Sequence, residues 1–265
     1  MLPHLLSIHR YVVKGLTGEP LPEVSLETGR GIANDRRYAL ALKETKFDES
    51  RPTPLPKTQF VMLARHARLA GLISSFDEPG GTLTLRRGEH RLASARLDDP
   101  AGRAAIEQAI DDHMGGEIGG CPRLVEGRGH RFTDVSVVSP EMMEAVSLIN
   151  LASVRALEEA IGVKLDVRRF RGNFVIDGLA PWAEFDWVDR TIAIGAAAFT
   201  GAKRTRRCPA TTVNPETCER DVDVPMELLD RFGHGDMGVY LLVRGGGVVR
   251  PGDDVRVSDV AALSS

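Results

Sequence analysis

Apolar residues along the chain recur mostly in short alternating or β-branched blocks, separated by Gly, Pro, Asn and Asp, and only in a few places at helical spacing. LLSIHRYVV (5–13) and DRRYALAL (35–42) read as strands, and the turn residues of ETGRGIAND (27–35) between them suggest that the two pair. From Lys43 to Lys57 the chain becomes charged and proline-rich, which predicts a long surface loop. ARLAGLISSF, TLTLRR and HRLASARL, divided by DEPGG and GE, predict a small antiparallel meander. PAGRAAIEQAIDDHM differs: Ala105, Ile106, Ala109, Ile110 and Met114 fall on one helical face behind a proline suited to a first turn.

The second half opens on AVSLINLASVRALEEAIG, a short apolar strand running into a helix capped by Asn150 or Ser153 and stopped at Gly162. FRGNFVID, RTIAIG, AAAFTGAKRTR, PATTV, GVYLLV and DDVRV follow as six strand candidates, with PMELLDRF the one helix among them. That count is barrel-like. Gly115, Gly116, Gly119, Gly120 and Cys121-Pro122 mark a join between the halves near residues 115–130. The fold class expected is α+β and mostly β, as two β-rich, barrel-like modules around a shared cleft with a few short helices.

Composition adds limits. With 42% hydrophobic and 27% charged residues in 265, the chain reads as an ordinary globular protein large enough to bury a proper core. A net charge of −3 argues against a protein-wide phosphate-binding surface, so no nucleic acid is expected and any polyanion contact needs a local cluster of cations. Three widely spaced cysteines make neither a disulfide framework nor a zinc or ferredoxin spacing, which fits a reducing cytoplasm. MLPHLLSIHRYVVKG lacks a basic start ahead of a long apolar run, and no stretch approaches the roughly 20 apolar residues of a membrane span, so neither targeting nor a membrane is expected.

The local cation cluster surrounds a cysteine. In KRTRRCPATTVNPETCERD, Lys203, Arg204, Arg206 and Arg207 stand within five residues of one another beside Cys208, and such a field stabilises a thiolate. Strand alternation would aim Arg204 and Arg206 to the side of Cys208 and Arg207 to the other. By itself Cys208 reads first as a small buried residue beside a solvated basic strand, and a redox thiol or a ligand only if its context overturns that. RRFRGN (168–173) packs three arginines ahead of a strand, where guanidinium forks grip an anion and the Asn173 amide both donates and accepts. YVVKG ends in Lys14-Gly15, a cation beside a residue that lets backbone N–H groups approach a ligand.

In this order the segments resemble the MOSC domain, the family named after the carboxy-terminal domain of molybdenum cofactor sulfurase, with its amino-terminal β-barrel module ahead of it. The resemblance runs through YVVKGLTGEPL, DRRYAL, SLINLASVRALEE, RRFRGNFVIDG, RRCPATTVNPET, GVYLLV and PGDDVRV, and so covers nearly the whole chain. It implies residues 1–120 as the amino-terminal module and 121–265 as the MOSC domain. It also implies a cofactor, the molybdenum-bearing molybdopterin, held between the modules with Cys208 as the metal ligand. Lys14, Gly15, Arg36, Asp134, Arg171, Asn173, Arg206 and Arg207 would bind the pterin or its phosphate. The family pattern has glycine where this chain has Cys218, a poor residue for a turn with positive φ. Cys218 is read as incidental, Cys121 as structural, and His234 of FGHGDMG as a loop histidine.

The amidoxime-reducing members of the family imply a molybdoenzyme that reduces N-oxygenated or S-oxygenated small molecules. Three cysteines cannot hold an iron–sulfur cluster and also supply the molybdenum ligand, so electrons are expected from a separate donor protein, ferredoxin- or cytochrome-type, or from its reductase. Two alternatives stand beside it: a sulfur carrier passing persulfide sulfur through Cys208 to a metal or cofactor, and a non-catalytic module that stores or delivers the cofactor. The length leaves no room for a pyridoxal-phosphate desulfurase domain, so pyridoxal-phosphate chemistry is not expected.

Overall fold

The computed structural model describes residues 2–258, which hold fifteen strands and four α-helices. The first half contains β1 (His4–Arg10), β2 (Glu19–Leu21), β3 (Val24–Leu26), β4 (Tyr38–Ala41), β5 (Ile73–Asp77), β6 (Thr82–Arg87), β7 (His90–Arg96) and helix α1 (Pro100–Met114). β8 (Arg123–Glu126), α2 (Pro140–Met143), β9 (Val146–Asn150), α3 (Leu151–Ile161), β10 (Phe174–Asp177), β11 (Thr191–Ile194) and β12 (Ala197–Arg206) come next. α4 (Val224–Phe232), β13 (Asp236–Gly245), β14 (Gly247–Val249) and β15 (Val255–Ser258) complete them. The mostly-β α+β class is as the sequence implies.

One sheet organises the molecule. Its eight strands run β15-β11-β12-β13-β9-β10-β1-β2, all neighbours antiparallel except the β9/β10 pair. The sheet curls until His4 bridges Asp254, and the Leu5 N–H donates to the Asp253 carbonyl at 2.8 Å. Its concave face encloses a core of Leu5, Ile8, Leu148, Phe174, Ile194, Phe199, Val239 and Leu241, with Phe174 and Phe199 packed edge to face at 6.0 Å. A second core lies under the β5-β6-β7 meander and α1, where Ile106, Ile110 and Met114, four residues apart, meet Leu69, Leu83 and Leu85. Asp99 caps α1 by accepting from the Ala101 and Gly102 N–H groups. A third core joins α3 to α4 through Val154, Leu157, Val224 and Leu228, and Asn150 caps α3, accepting from the Ala152 N–H.

Strand exchange ties the two halves of the chain together. β1 and β2 lie in the same sheet as the second-half strands, β3 pairs with β14, and β4 pairs with β8. The expected pairing of LLSIHRYVV with DRRYALAL is therefore corrected: they form no ladder and meet through an isolated parallel bridge, Val13 to Tyr38, and through the Arg36 N–H donating to the Tyr11 carbonyl at 2.6 Å and the Tyr11 N–H donating to Asp35 at 2.8 Å. The chain after β1 instead turns back as β2, which pairs antiparallel with β1, and β3 then pairs with β14. PATTV is also not a strand. It forms a single 3-10 turn, because Pro209 lacks an N–H for a ladder and the hydroxyls of Thr211 and Thr212 donate back to the carbonyls of Cys208 and Pro209 at 2.9 and 2.8 Å.

Candidate functional site

A cavity of about 540 Å³ opens where the eight-stranded sheet meets the first half of the chain. β9, β10 and β13 approach it with Ser147, Asn173 just ahead of β10, and Tyr240. The end of β12 delivers Lys203 to Arg206, and Arg207 and Cys208 follow before the 3-10 turn. From the first half come Lys14, Gly15 and Arg36, and the segment after β8 adds Asp134. All nine residues selected from the sequence, Lys14, Gly15, Arg36, Asp134, Arg171, Asn173, Arg206, Arg207 and Cys208, thus line one space.

The charge is lopsided. Lys14, Arg36, Lys57, Arg169, Arg171, Lys203, Arg204, Arg206 and Arg207 give nine cations on the wall against the single carboxylate of Asp134. Another cavity of similar size, about 530 Å³, lies near β8, but its arginines are matched by carboxylates: Arg37 and Arg103 by Glu126, and Arg131 by Glu144. Only the first has cations to spare for a polyanion.

Several of these cations are held rigidly. Arg36 and Arg171 both adopt left-handed backbone, each at φ 52°, a conformation that costs a non-glycine residue about 1–2 kcal/mol. Their guanidinium carbons lie 4.6 and 4.5 Å from the centroid of one ring, that of buried Tyr11. Arg36 also donates to Asp35 at 2.5 Å and to the Arg171 carbonyl at 3.1 Å, and Arg171 donates to the Leu16 carbonyl at 2.7 Å. Gly18 presses on the same ring: a Cβ there would stand 2.6 Å from it. Asn173 spends its amide on structure, its oxygen accepting from the Ser147 hydroxyl at 2.8 Å and its nitrogen donating to the His9 carbonyl at 3.1 Å. It thereby joins β9 to β1 and faces Arg36 at 3.4 Å.

Lys14 donates to Asp134 at 2.5 Å and to the Phe132 carbonyl at 3.0 Å, with Lys57 3.8 Å from the same carboxylate. Burial pushes the Lys14 amine below its ordinary value against the pull of Asp134. Burial also raises the Asp134 carboxyl, but Lys14, Lys57 and Arg36 outweigh it and hold the group below the usual carboxylate range. Burial depresses Arg171 as well, helped by the charge of Arg36, and it takes Arg207 down to about 10 although Tyr240 and Cys208 oppose it. Arg207 donates to the carbonyls of Phe170 and Met237, leaving its charge without a counter-ion among the described residues. A bound anion would offset that desolvation.

Among the described residues, the buried side-chain polar atoms without a hydrogen-bond partner are Thr133 Oγ1, Arg169 Nε and Thr205 Oγ1, and all three residues line this cavity. Natively buried polar groups are nearly always paired, so orphans concentrated at one place mark missing partners. A pterin with many donors and acceptors and an anionic phosphate suits this donor-rich, cation-rich wall, and the Cys208 sulfur is a soft ligand suited to a transition metal.

The expected alternation of arginines is corrected: register shifts between Gly201 and Lys203 and between Arg204 and Arg206 break the period, and Arg206, Arg207 and Cys208 all reach the cavity. Arg168 of RRFRGN stays outside, paired with Asp166 and Glu216. Arg169 of RRFRGN does line the cavity, whereas Tyr11, Tyr240, Ser147, Thr133 and Thr205 were not singled out from the sequence, since each reads there as an ordinary strand or turn position. Cys218 keeps the positive φ, 62°, and packs on the second core away from the cavity. Cys121 is exposed, and His234 packs among Trp182, Phe185 and Phe232. No group of three or more metal-ligating His, Cys, Asp or Glu occurs among the described residues, and none of their helices is long and apolar enough to cross a membrane.

The family model described as the MOSC domain matches residues 112–256. The chain belongs to the MOSC domain family. Among curated relatives, a molybdenum cofactor sulfurase of Anopheles gambiae is 34% identical over 133 residues, covering 45% of this chain and 17% of its own. Mitochondrial amidoxime-reducing component 1 of Xenopus laevis is 27% identical over 146 residues, covering 51% of this chain and 42% of its own. This MOSC chain thus spans less than half the length of either relative. The solved structure of the YuaD protein of Bacillus subtilis covers 98% of the chain and 97% of its own at 11% identity, with a TM-score of 0.44.

Proposed function

We propose that this MOSC protein binds a molybdenum cofactor in the cationic cavity and reduces N-oxygenated or S-oxygenated small molecules with electrons from a separate donor protein. The observation that carries the reading is the coincidence, on one wall, of nine cations, the three unpartnered buried polar atoms and the Cys208 thiol. Cys208 would hold the metal, and Arg36, Arg171, Arg207 and Lys14 would take the phosphate and pterin. When bound, the cofactor supplies two-electron oxygen-atom chemistry. The chain's own part is to fix the guanidiniums before the ligand arrives, through Tyr11 and Asn173, and to keep Asp134 ionised beside Lys14. For an N-hydroxylated substrate the balance is R–NHOH plus two electrons and two protons giving R–NH₂ and water, the electrons coming from an iron–sulfur or cytochrome-type carrier.

Metal analysis of the chain purified from a host that makes the cofactor tests the reading. Near-stoichiometric molybdenum, with a fluorescent pterin released on oxidation, is expected; a folded chain with neither overturns it. A sulfur-carrier role is the second reading, supported by the partial exposure of Cys208 and by the name of the sulfurase relative. It takes a persulfide from a donor protein, R–S–SH plus Cys208–SH giving Cys208–S–SH plus R–SH, and leaves wild type with releasable sulfide and no molybdenum.

A further inference from the structure

The cationic cavity has an annex. A smaller cavity of about 240 Å³ shares Lys14, Lys57, Thr133 and Asp134 with its wall. Past that shared wall the lining is largely apolar, with Leu55, Pro56, Phe60, Phe132 and Val137 beside Ser136, whose hydroxyl is spent on the Thr133 carbonyl at 2.8 Å. Phe60 and Phe132 are buried and packed edge to face at 5.2 Å, and Phe47 backs Phe132 at 5.1 Å, so the rear wall is fixed by aromatic contacts. His130 completes it at 5.1 Å from Phe132, and burial together with the Lys14 charge favours its neutral imidazole. The two lysines on the shared wall are engaged by Asp134. Thr133, whose hydroxyl has no partner, stands where the two spaces meet.

We propose that this annex receives a flat, uncharged, ring-sized group of the substrate, while the attached polar N–O or S–O end projects past Thr133 and Asp134 into the cationic cavity. The chemistry of the two spaces is complementary in that sense: apolar walls with a neutral imidazole on one side, cations and unpartnered donors on the other. Size agrees, because an apolar cavity of roughly 150 Å³ accepts benzene in another protein, and 240 Å³ leaves room for a substituent on such a ring. Val137, 62% exposed, borders the annex on its solvent side. The proposal rests on the cofactor reading only for the reacting end; capture of the ring needs no metal.

The test is ligand-observed saturation-transfer NMR on the full chain as purified, with benzamide, acetamide and benzoate as probes. Benzamide is expected to bind, acetamide to give no transfer, and benzoate to bind no better than benzamide. Val137→Glu, which places a charge against the apolar wall at an exposed position, should weaken benzamide by roughly tenfold or more. Met226→Glu, at a comparably exposed apolar residue on α4, should leave it unchanged. Equal transfer for benzamide and acetamide, a preference for benzoate, or indifference to Val137→Glu overturns the proposal. A chain made in a cofactor-producing host that holds no molybdenum yet still captures benzamide removes the cofactor reading and keeps the annex; a molybdenum-loaded chain without ring preference does the reverse.

Discussion

Arg36 and Arg171, 135 positions apart in sequence, lie over the same Tyr11 ring at 4.6 and 4.5 Å. Two like charges are brought together on a buried aromatic side chain, with one carboxylate, Asp35, in direct contact with Arg36 and none within ion-pair distance of Arg171 among the described residues. The arrangement stabilises itself poorly, and an anion bound there would offset the repulsion.

Tyr11→Leu should therefore weaken anion binding while retaining most of the apolar volume, because cation–π contacts contribute about 0.5–2 kcal/mol each. Tyr11→Phe should keep the anion and lose about 1 kcal/mol of stability with the hydroxyl's 3.2 Å bond to the Gly172 carbonyl. Gly18→Ala should resemble the leucine variant, since the new Cβ displaces the ring. Pyrophosphate titration followed by calorimetry, beside urea unfolding, separates the three.

Arg171→Ala is expected to lower molybdenum and pterin content about tenfold or more, on the scale of a lost charge-assisted contact. The same change removes the bond to Leu16 and retains a left-handed backbone, so a stability loss of about 1–2 kcal/mol should accompany it. Full occupancy in a folded variant would remove the anion grip from the account.

Asp134 sets a pH dependence. Its folded carboxyl titrates below the unfolded value, so its stabilising effect is complete above the unfolded value near 3.8 and disappears as pH falls through the folded one. Unfolding free energy of wild type should fall more steeply below about pH 4 than that of Asp134→Asn. With 46% of the side chain open to solvent the difference should be small and should shrink further in high salt. Identical acid profiles would show that the Lys14 pair contributes nothing.

Cys208→Ser should keep the pterin, whose phosphate contacts are with Arg and Lys, and lose reductase activity together with sulfur-to-metal charge-transfer absorption. The fold should survive, because the Thr211 hydroxyl and N–H bond the Cys208 backbone carbonyl and not its sulfur. Cys121→Ser and Cys218→Ser, away from the cavity, should leave both signals. Unchanged spectra and activity in Cys208→Ser would make the cysteine a bystander.

Local signals carried far in this chain. The α1 face of Ile106, Ile110 and Met114, the β5-β6-β7 meander, the Asn150 cap and the Gly162 stop are all readable because each depends on residues a few positions apart. The cation clusters are readable for the same reason. Pairing is not: β1 finds β10 across more than 150 residues, and nothing in LLSIHRYVV states its partner. Tyr11 is hidden by the same limit, since in that strand it reads as one more apolar position, and its meaning comes from two arginines that arrive from elsewhere. PATTV misleads because threonine favours strands until its hydroxyl finds a carbonyl three residues back.

The insertion of β1 and β2 beside β10 has a kinetic consequence. Pairings such as Ile8 with Phe174 and the crossing of β4 to β8 raise the mean sequence separation of contacts, and folding slows as that separation grows. The cavity wall needs Lys14 and Tyr240 at once, so during synthesis it does not exist until β13 has emerged and found β9. Any ligand of that wall would have to wait for this long-range pairing, and until β10 is made the β1 edge lacks the partner it has in the folded chain.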